Sequence, residues 1–363
     1  MRFFFGAGGT GGHISPAIAV AQRLRGEGHE IVFIGNRGGM EESLVPREGF
    51  PIRLIRVQKL HRSFKLSNLL LPFMLLGSTL SCLRMMRSFK PDAVFCTGGF
   101  VSGPVGIAAA MLKIPLYFHE SNSFPGITTR HLTKRIRIIF TGFASASKYL
   151  PAAKTRHIGI PLQLKKDESP AASAGELGLE AEVKTLLITG GSQGSQAINS
   201  SVAAALPRLL EDGWQLIWQT GKTGFEQYSR QFQGLRGVHI FDFSPKLKDF
   251  YRLAQLAVTR AGALTIAELT QNHLPAILVP LPSAAENHQH HNALDQQARG
   301  VALLLPQKDL NAVTLVKAVQ RVYSERESYL QNLQKLPPNT AAQDTADAII
   351  ADLNKEKTHA GKN

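Results

Sequence analysis

Arg2–His13 reads RFFFGAGGTGGH, and the fold is decided here. Arg2 to Phe5 forms a short apolar strand, Gly6 to Gly12 supplies five glycines, and Pro16 and Ala17 open an amphipathic run through Ile18, Val20, Ala21 and Leu24. In a strand, glycine turn and helix taken in that order, backbone without Cβ can approach a ligand closely. The N–H groups of the helix start then favour negative charge. The arrangement suits a phosphate or pyrophosphate. It recurs where Ala93–Thr97 runs into Gly98-Gly99-Phe100-Val101-Ser102-Gly103-Pro104, and where Lys184–Thr189 runs into Gly190-Gly191-Ser192-Gln193-Gly194-Ser195.

Outward from these turns, short apolar runs alternate with helical patterns. In the first half the strands are expected at Ile31–Gly35, Ile52–Val57, Ala93–Thr97, Leu116–His119 and Ile136–Phe140. The second half restarts at Thr185–Gly190 and continues at Gln215–Gln219, Val238–Phe241, Ala257–Arg260, Ala276–Val279 and Ala302–Leu305. Continuous apolar runs separated by helices imply parallel strands covered on both faces, so the class is α/β, built twice. A chain of 363 residues is long enough for two cores. The boundary is expected near Pro161, giving domains 1–161 and 162–339, with a polar Ser- and Ala-rich linker from Lys165 to Gly175. A helix from Thr340 to Leu353 is expected to cross back onto the first domain, leaving 354–363 (NKEKTHAGKN) as a flexible tail. Ligands of open sheets bind outside the carboxyl ends of the strands, and two such domains facing across a cleft would place the site there.

Charge is distributed unevenly. Met1–Gln163 carries 21 Lys and Arg against 7 Asp and Glu, whereas the remainder carries 20 of each, so the whole excess of +14 lies in the first half. This implies an anionic partner for that half, either nucleic acid or an anionic membrane face. Leu66–Leu83 has no charged residue over 18 positions, but Pro72, Gly77 and five Ser, Thr or Asn residues weaken a spanning helix. Lys59, Arg62 and Lys65 precede it and Arg84, Arg87 and Lys90 follow, so the stretch is expected to lie on an anionic membrane surface. An ordinary buried helix would account for part of it. Cys82 and Cys96 lack the spacing of a metal or redox pair. The chain opens directly on a strand, leaving no room for a signal peptide, so a reducing cytoplasm is the expected setting.

Gly6-x-Gly8-x-x-Gly11 formally satisfies the dinucleotide fingerprint, yet the second strand ends Ile34-Gly35-Asn36 with no carboxylate before Glu41 to hold a ribose. A nicotinamide enzyme is therefore disfavoured. His13 follows the glycines where an imidazole could accept a proton, or could merely hydrogen-bond locally. Arg260-Ala261-Gly262-Ala263-Leu264-Thr265-Ile266-Ala267-Glu268 is a strand end, a turn and a helix start suited to a diphosphate. Glu268 is placed there to accept from vicinal ribose hydroxyls, unless it is only a solvated face. Glu286-Asn287-His288-Gln289-His290-His291-Asn292 gathers polar groups, but the three histidines lack the spacing of a helical zinc pair. No acidic DxD triplet stands at a strand end to hold a divalent ion, so neither a metal nor a cofactor is expected.

Six motifs in order make the chain resemble the MurG family, the peripheral membrane N-acetylglucosaminyltransferases of peptidoglycan synthesis. They are GGTGGH at Gly8–His13, GGFVSGP at Gly98–Pro104, HESN at His119–Asn122, GGSQGS at Gly190–Ser195, GALTIAE at Gly262–Glu268 and HQxxNA at His288–Ala293. The resemblance implies a GT-B architecture of two doubly wound domains, with the donor UDP-N-acetylglucosamine in the second and an undecaprenyl-pyrophosphoryl-N-acetylmuramyl pentapeptide in the first. It implies that Gly8, Gly9, Thr10, Gly11, Gly12, Gly98, Gly99, Ser102 and Gly103 face the acceptor pyrophosphate, with Thr10, Gly11 and Gly12 also near the donor. His13 is implied as base, with Glu120 as the alternative. Ser192, Gly262, Ala263 and Leu264 are implied at the diphosphate, Glu268 at the ribose, Phe243 by the uracil, Gln289 and Asn292 at the sugar, and Asn122 in the cleft. It further implies inversion at the transferred sugar, the cytoplasmic membrane face as location, cell-wall and division proteins as candidate partners, and no nucleic acid. Two positions depart from the pattern. Gln163 stands where the family carries a junction arginine, leaving Lys165, Lys166 or the helix start at Gly262 to meet the diphosphate charge, and Ser121 stands where glutamine is usual. Competing readings are a UDP-N-acetylglucosamine 2-epimerase, another GT-B glycolipid glycosyltransferase and a non-catalytic membrane adaptor.

Overall fold

A computed structural model of the chain describes residues 1–58, 71–163, 173–191, 193–244 and 247–360. Ser192, the stretch holding Lys59, Arg62 and Lys65, and most of the expected linker lie outside the described residues. The chain forms two units, Met1–Lys165 with Asn339–Asn363 as unit 1, and Lys166–Pro338 as unit 2.

Unit 1 holds seven strands, β1 (Arg2–Gly6), β2 (Glu30–Asn36), β3 (Ile52–Ile55), β4 (Ala93–Cys96), β5 (Leu116–Glu120), β6 (Ile138–Thr141) and β7 (Thr155–His157). They pair in parallel in the order β3-β2-β1-β4-β5-β6-β7. Between them run helices α1 (Gly11–Gly26), α2 (Glu41–Arg47), α3 (Leu71–Phe89), α4 (Ser102–Met111) and α5 (Ile127–Leu132). Phe3, Phe4 and Phe5 are all fully buried because helices cover both faces of β1, which is why the strand is continuously apolar. Strand β7 has no counterpart among the expected strands, since three polar residues on a sheet edge carry no apolar signal.

Unit 2 repeats the design with β8 (Thr185–Thr189), β9 (Gln215–Gln219), β10 (Val238–Phe241), β11 (Leu256–Thr259), β12 (Ala276–Leu278) and β13 (Ala302–Leu304), in the parallel order β10-β9-β8-β11-β12-β13. Its helices are α6 (Gln196–Glu211), α7 (Lys222–Gln231), α8 (Leu247–Phe250), α9 (Ala263–Gln271), α10 (His288–Ala298), α11 (Ala312–Ser324) and α12 (Arg326–Gln334). Each unit is thus a doubly wound parallel sheet, and in each the strand order reverses beside the first strand.

The last helix, α13 (Ala341–Ala360), belongs to unit 1. Ala346, Ile349 and Leu353 enter the core formed by Phe3, Phe5, Ala17, Ala21 and Leu24, and Tyr117 donates its hydroxyl to Asp352 at 2.6 Å. Residues 354–360 continue this helix, which corrects the expectation of a flexible tail beginning at Asn354. Arg137 pairs with Asp352 at 2.9 Å and with Glu356 one turn later, and Lys and Glu are good helix formers, so the polar segment extends the helix.

Candidate active site

In an open α/β sheet the ligand crevice lies outside the carboxyl ends of the strands, where the strand order reverses. In unit 1 that point is between β1 and β4, and both strands lead directly into glycine turns. The turn after β1 passes Gly8 and Gly9 to Thr10, the extended N-cap of α1, which makes no side-chain cap. His13 and Ile14 donate to the Thr10 carbonyl, whereas no described acceptor takes the N–H of Gly11 or Gly12. A Cβ at Gly11 or Gly103 would meet nothing within 4 Å, so both positions face open space. These are the helix-start amides that an anion engages.

The two turns meet at His13. Gly98 and Gly99 adopt φ of +89° and +75°; a Cβ on Gly99 would lie 2.7 Å from the Gly8 carbonyl and 3.1 Å from Cδ2 of His13. Only glycine can hold this approach. The imidazole Nδ1 lies 2.8 Å from the Thr97 carbonyl and donates to it, while Thr97 Oγ1 donates back to the His13 carbonyl at 2.7 Å. With Nδ1 protonated, Nε2 carries the free lone pair. Burial pushes the pKa of His13 below 6.5, opposed by the field of Glu120 and the hydrogen bond to Thr97. The ring is therefore neutral near pH 7 and competent as a base.

Ser102 is fully buried, and its hydroxyl lies 2.6 Å from the Gly98 carbonyl and 3.0 Å from that of Gly6. It fastens the second turn to β1. Glu120 is also buried: Oε1 accepts from the Asn122 backbone N–H at 3.1 Å, and Oε2 accepts from Gly126 N–H at 3.0 Å and Thr129 Oγ1 at 2.7 Å. Its carboxylate staples its own loop. Glu41 was legible only as the first carboxylate after β2. It is fully buried beneath the first turn, where Oε2 accepts from Gly9 N–H at 3.1 Å and Oε1 from Asn36 N–H at 2.9 Å. Gln163 is half-buried and falls in unit 1.

In unit 2 the reversal lies between β8 and β11, and again each strand ends in a glycine turn. The turn after β8 is packed so tightly that a Cβ on Gly194 would fall 2.1 Å from the Thr220 carbonyl. It delivers Ser195 as N-cap of α6, with Oγ accepting from Ile198 N–H and from Arg260 Nη2 at 2.6 Å. The turn after β11 begins α9 at Ala263 with no side-chain cap, and no described acceptor takes the N–H of Ala263 or Leu264. Glu268 lies one turn further on the same helix, half-buried, with Oε2 accepting from Tyr251 OH at 3.0 Å. Gln289 accepts from Leu281 N–H at 2.9 Å through Oε1. Asn292 is fully buried and donates Nδ2 to the Ala261 carbonyl at 3.2 Å, so it sits beneath the β11 turn and supports it. Phe243, in the loop after β10, is 51% exposed. Among the described residues no group of three or more His, Cys, Asp or Glu side chains is arranged to hold a metal ion.

Residues 3–141 match the glycosyltransferase family 28 N-terminal domain and residues 185–349 the family 28 C-terminal domain. The UDP-N-acetylglucosamine--N-acetylmuramyl-(pentapeptide) pyrophosphoryl-undecaprenol N-acetylglucosamine transferase of Lactococcus lactis subsp. cremoris is 35% identical over 92% of this chain and 94% of its own length. The transferase of the same name from an Exiguobacterium species is 37% identical over 96% and 99%. The chain belongs to this family. Acinetobacter baumannii MurG, a crystal structure 27% identical, superimposes with a TM-score of 0.76 over 96% of this chain and 99% of its own. S. aureus MnaA, solved with UDP and 13% identical, reaches 0.71 and shares the fold alone. The family is one of glycosyltransferases with two parallel-sheet domains of GT-B type, and the two sheets described above are those domains.

Proposed function

We propose that this chain transfers N-acetylglucosamine from UDP-N-acetylglucosamine to undecaprenyl-pyrophosphoryl-N-acetylmuramyl pentapeptide, with inversion and without a metal. The observation that carries the reading is the pair of glycine turns at the strand-order reversal of each unit, in a chain whose relatives of that activity match it over nearly their full length. Unit 2 takes the donor. The amides of Ala263 and Leu264 and the N-terminal dipole of α9 meet the diphosphate, Glu268 the ribose, Phe243 the uracil and Gln289 the sugar. Unit 1 takes the acceptor, with its pyrophosphate on Gly11, Gly12 and Gly103. Nε2 of His13 removes the proton of the attacking hydroxyl as its oxygen bonds to the anomeric carbon. The bond from that carbon to the diphosphate breaks, and its electron pair leaves with UDP, steadied by preorganised amides.

The acceptor is lipid-linked, and α3 offers a means of reaching it. Phe73 is 73% exposed and Leu76 59%, with Leu75 and Leu80 also exposed and Arg84 and Arg87 on the same helix. Among the described residues no helix is long and apolar enough to cross a membrane. We place unit 1 on an anionic membrane face as a peripheral protein. An assay of sugar transfer from UDP-N-acetylglucosamine to the lipid-linked muramyl pentapeptide tests the reading. A β-linked disaccharide lipid is expected, and epimerised UDP-sugar without transfer would overturn it.

A further inference from the structure

Glu41 is a wholly buried carboxylate beneath a turn that the proposed function gives to an anion. Its seat is cut from glycine. A Cβ at Gly8 would overlap Oε1 of Glu41, one at Gly35 would lie 2.6 Å from its Cγ, and one at Gly39 would lie 2.6 Å from both carboxylate oxygens. From this seat Oε1 accepts from Asn36 N–H at the end of β2, and Oε2 accepts from Gly9 N–H in the turn after β1. The second bond fixes a peptide plane. In a trans peptide N–H and C=O point to opposite sides, so holding Gly9 N–H on Glu41 directs the Gly8 carbonyl away from it. That carbonyl meets Gly99, where a Cβ would lie 2.7 Å from it and 3.1 Å from Cδ2 of His13. We infer that Glu41 is a positioning residue for acceptor recognition. It fixes the Gly8–Gly9 peptide, so that the first turn keeps its place against Gly99 and His13 and presents the amides of Gly11 and Gly12 to the acceptor pyrophosphate. The inference rests on the reading of unit 1 as the acceptor site.

Position and charge give opposite signs here. A negative charge beneath an anion site repels the anion, so a carboxylate acting only through its field would, once neutralised, let the acceptor bind more tightly. One acting through position would, once replaced, weaken it. Glu41→Gln keeps the size and removes the charge, and because its Nε2 donates and cannot accept, one of the two N–H groups loses its partner. In full-length protein assayed against lipid-linked muramyl pentapeptide, acceptor KM should rise by about ten-fold, the scale of a hydrogen bond to a charged group. Affinity for UDP, read by titration calorimetry, should stay within about two-fold. Gly39→Ala supplies a second reading should Glu41→Gln not fold. Gly39 lies outside the left-handed region, and the nearest atoms to its added Cβ are those of the Glu41 carboxylate, so the charge stays and only its position changes. Acceptor KM should rise again. Glu42→Gln is the control, an exposed carboxylate that accepts from Gly38 N–H at 2.6 Å in the same loop, and it should match the wild type. A lower acceptor KM in Glu41→Gln, wild-type kinetics in Gly39→Ala, or a fall in kcat with acceptor KM unchanged overturns the inference while leaving the proposed transfer standing. So does a loss of UDP affinity in step with the acceptor. A wild-type protein that transfers no sugar overturns the transfer reading itself.

Discussion

Under the proposed function, removing His13 should impair chemistry and removing Glu268 should impair donor binding. If Nε2 of His13 is the base, His13→Ala should lower kcat by about 10²- to 10⁴-fold with donor KM little changed, as steady-state kinetics would record. The pH profile carries the sign. A base must be unprotonated, and burial holds this imidazole below 6.5, so the rate should be flat through neutrality and fall only as pH drops through that lowered pKa. A limb centred above 6.5, or one that survives in His13→Ala, would assign the base elsewhere. Glu268→Ala should raise donor KM by ten-fold or more, because charge-assisted hydrogen bonds are worth about 1.5–3 kcal/mol each. An unchanged KM in a folded variant would return Glu268 to the solvated face. Glu41 acts on the fold. Replacing it with Ala orphans the N–H groups of Gly9 and Asn36 and should cost unit 1 about 2–4 kcal/mol, read from urea unfolding. Its place was hidden in the sequence, because a carboxylate five positions past a strand gives no sign that it turns back beneath the preceding glycine turn. Tyr251 was hidden for the same reason: between Phe250 and Arg252 it is one more aromatic, and only folding brings its hydroxyl to Glu268.

Helix α3 sets the element-scale prediction. Its exposed Phe73 and Leu76 should insert at an anionic bilayer surface while Arg84 and Arg87 add electrostatic attraction of about 1 kcal/mol each. Binding to vesicles containing anionic lipid should be salt-sensitive, and Phe73→Glu should weaken it while leaving UDP binding unchanged. Equal sedimentation with neutral and anionic vesicles would remove the electrostatic part of the proposal. The strands were legible because burial on both faces writes an unbroken apolar run, as in Phe3–Phe5. The end of α13 was not, since its fastening is an arginine 219 residues away from Glu356. No local pattern reports such a pair. Ser102 and Asn292 show a related limit: their bonds to the Gly98 and Ala261 carbonyls join segments that no local pattern pairs.

The whole molecule keeps its charge as divided as its fold. Unit 1, counted with its C-terminal segment, retains the full excess of +14, and unit 2 is neutral. Long-range attraction to an anionic surface would therefore fall to one unit, while under the proposed function the other would meet its nucleotide through local dipoles. Catalysis should be insensitive to EDTA, and activity lost to the chelator and restored by Mg²⁺ or Mn²⁺ would contradict the metal-independent proposal. Unit 2 is one continuous stretch with its own core, whereas unit 1 is closed by α13, the last segment of the chain. During synthesis at roughly 5–20 residues per second, α13 reaches the ribosome exit on the order of 10–35 s after the rest of its unit. Over that interval Phe3, Ala17 and Leu24 wait with part of their core uncovered, so the half translated first is the half completed last. The nascent chain should lean on chaperones there, over the interval before α13 emerges.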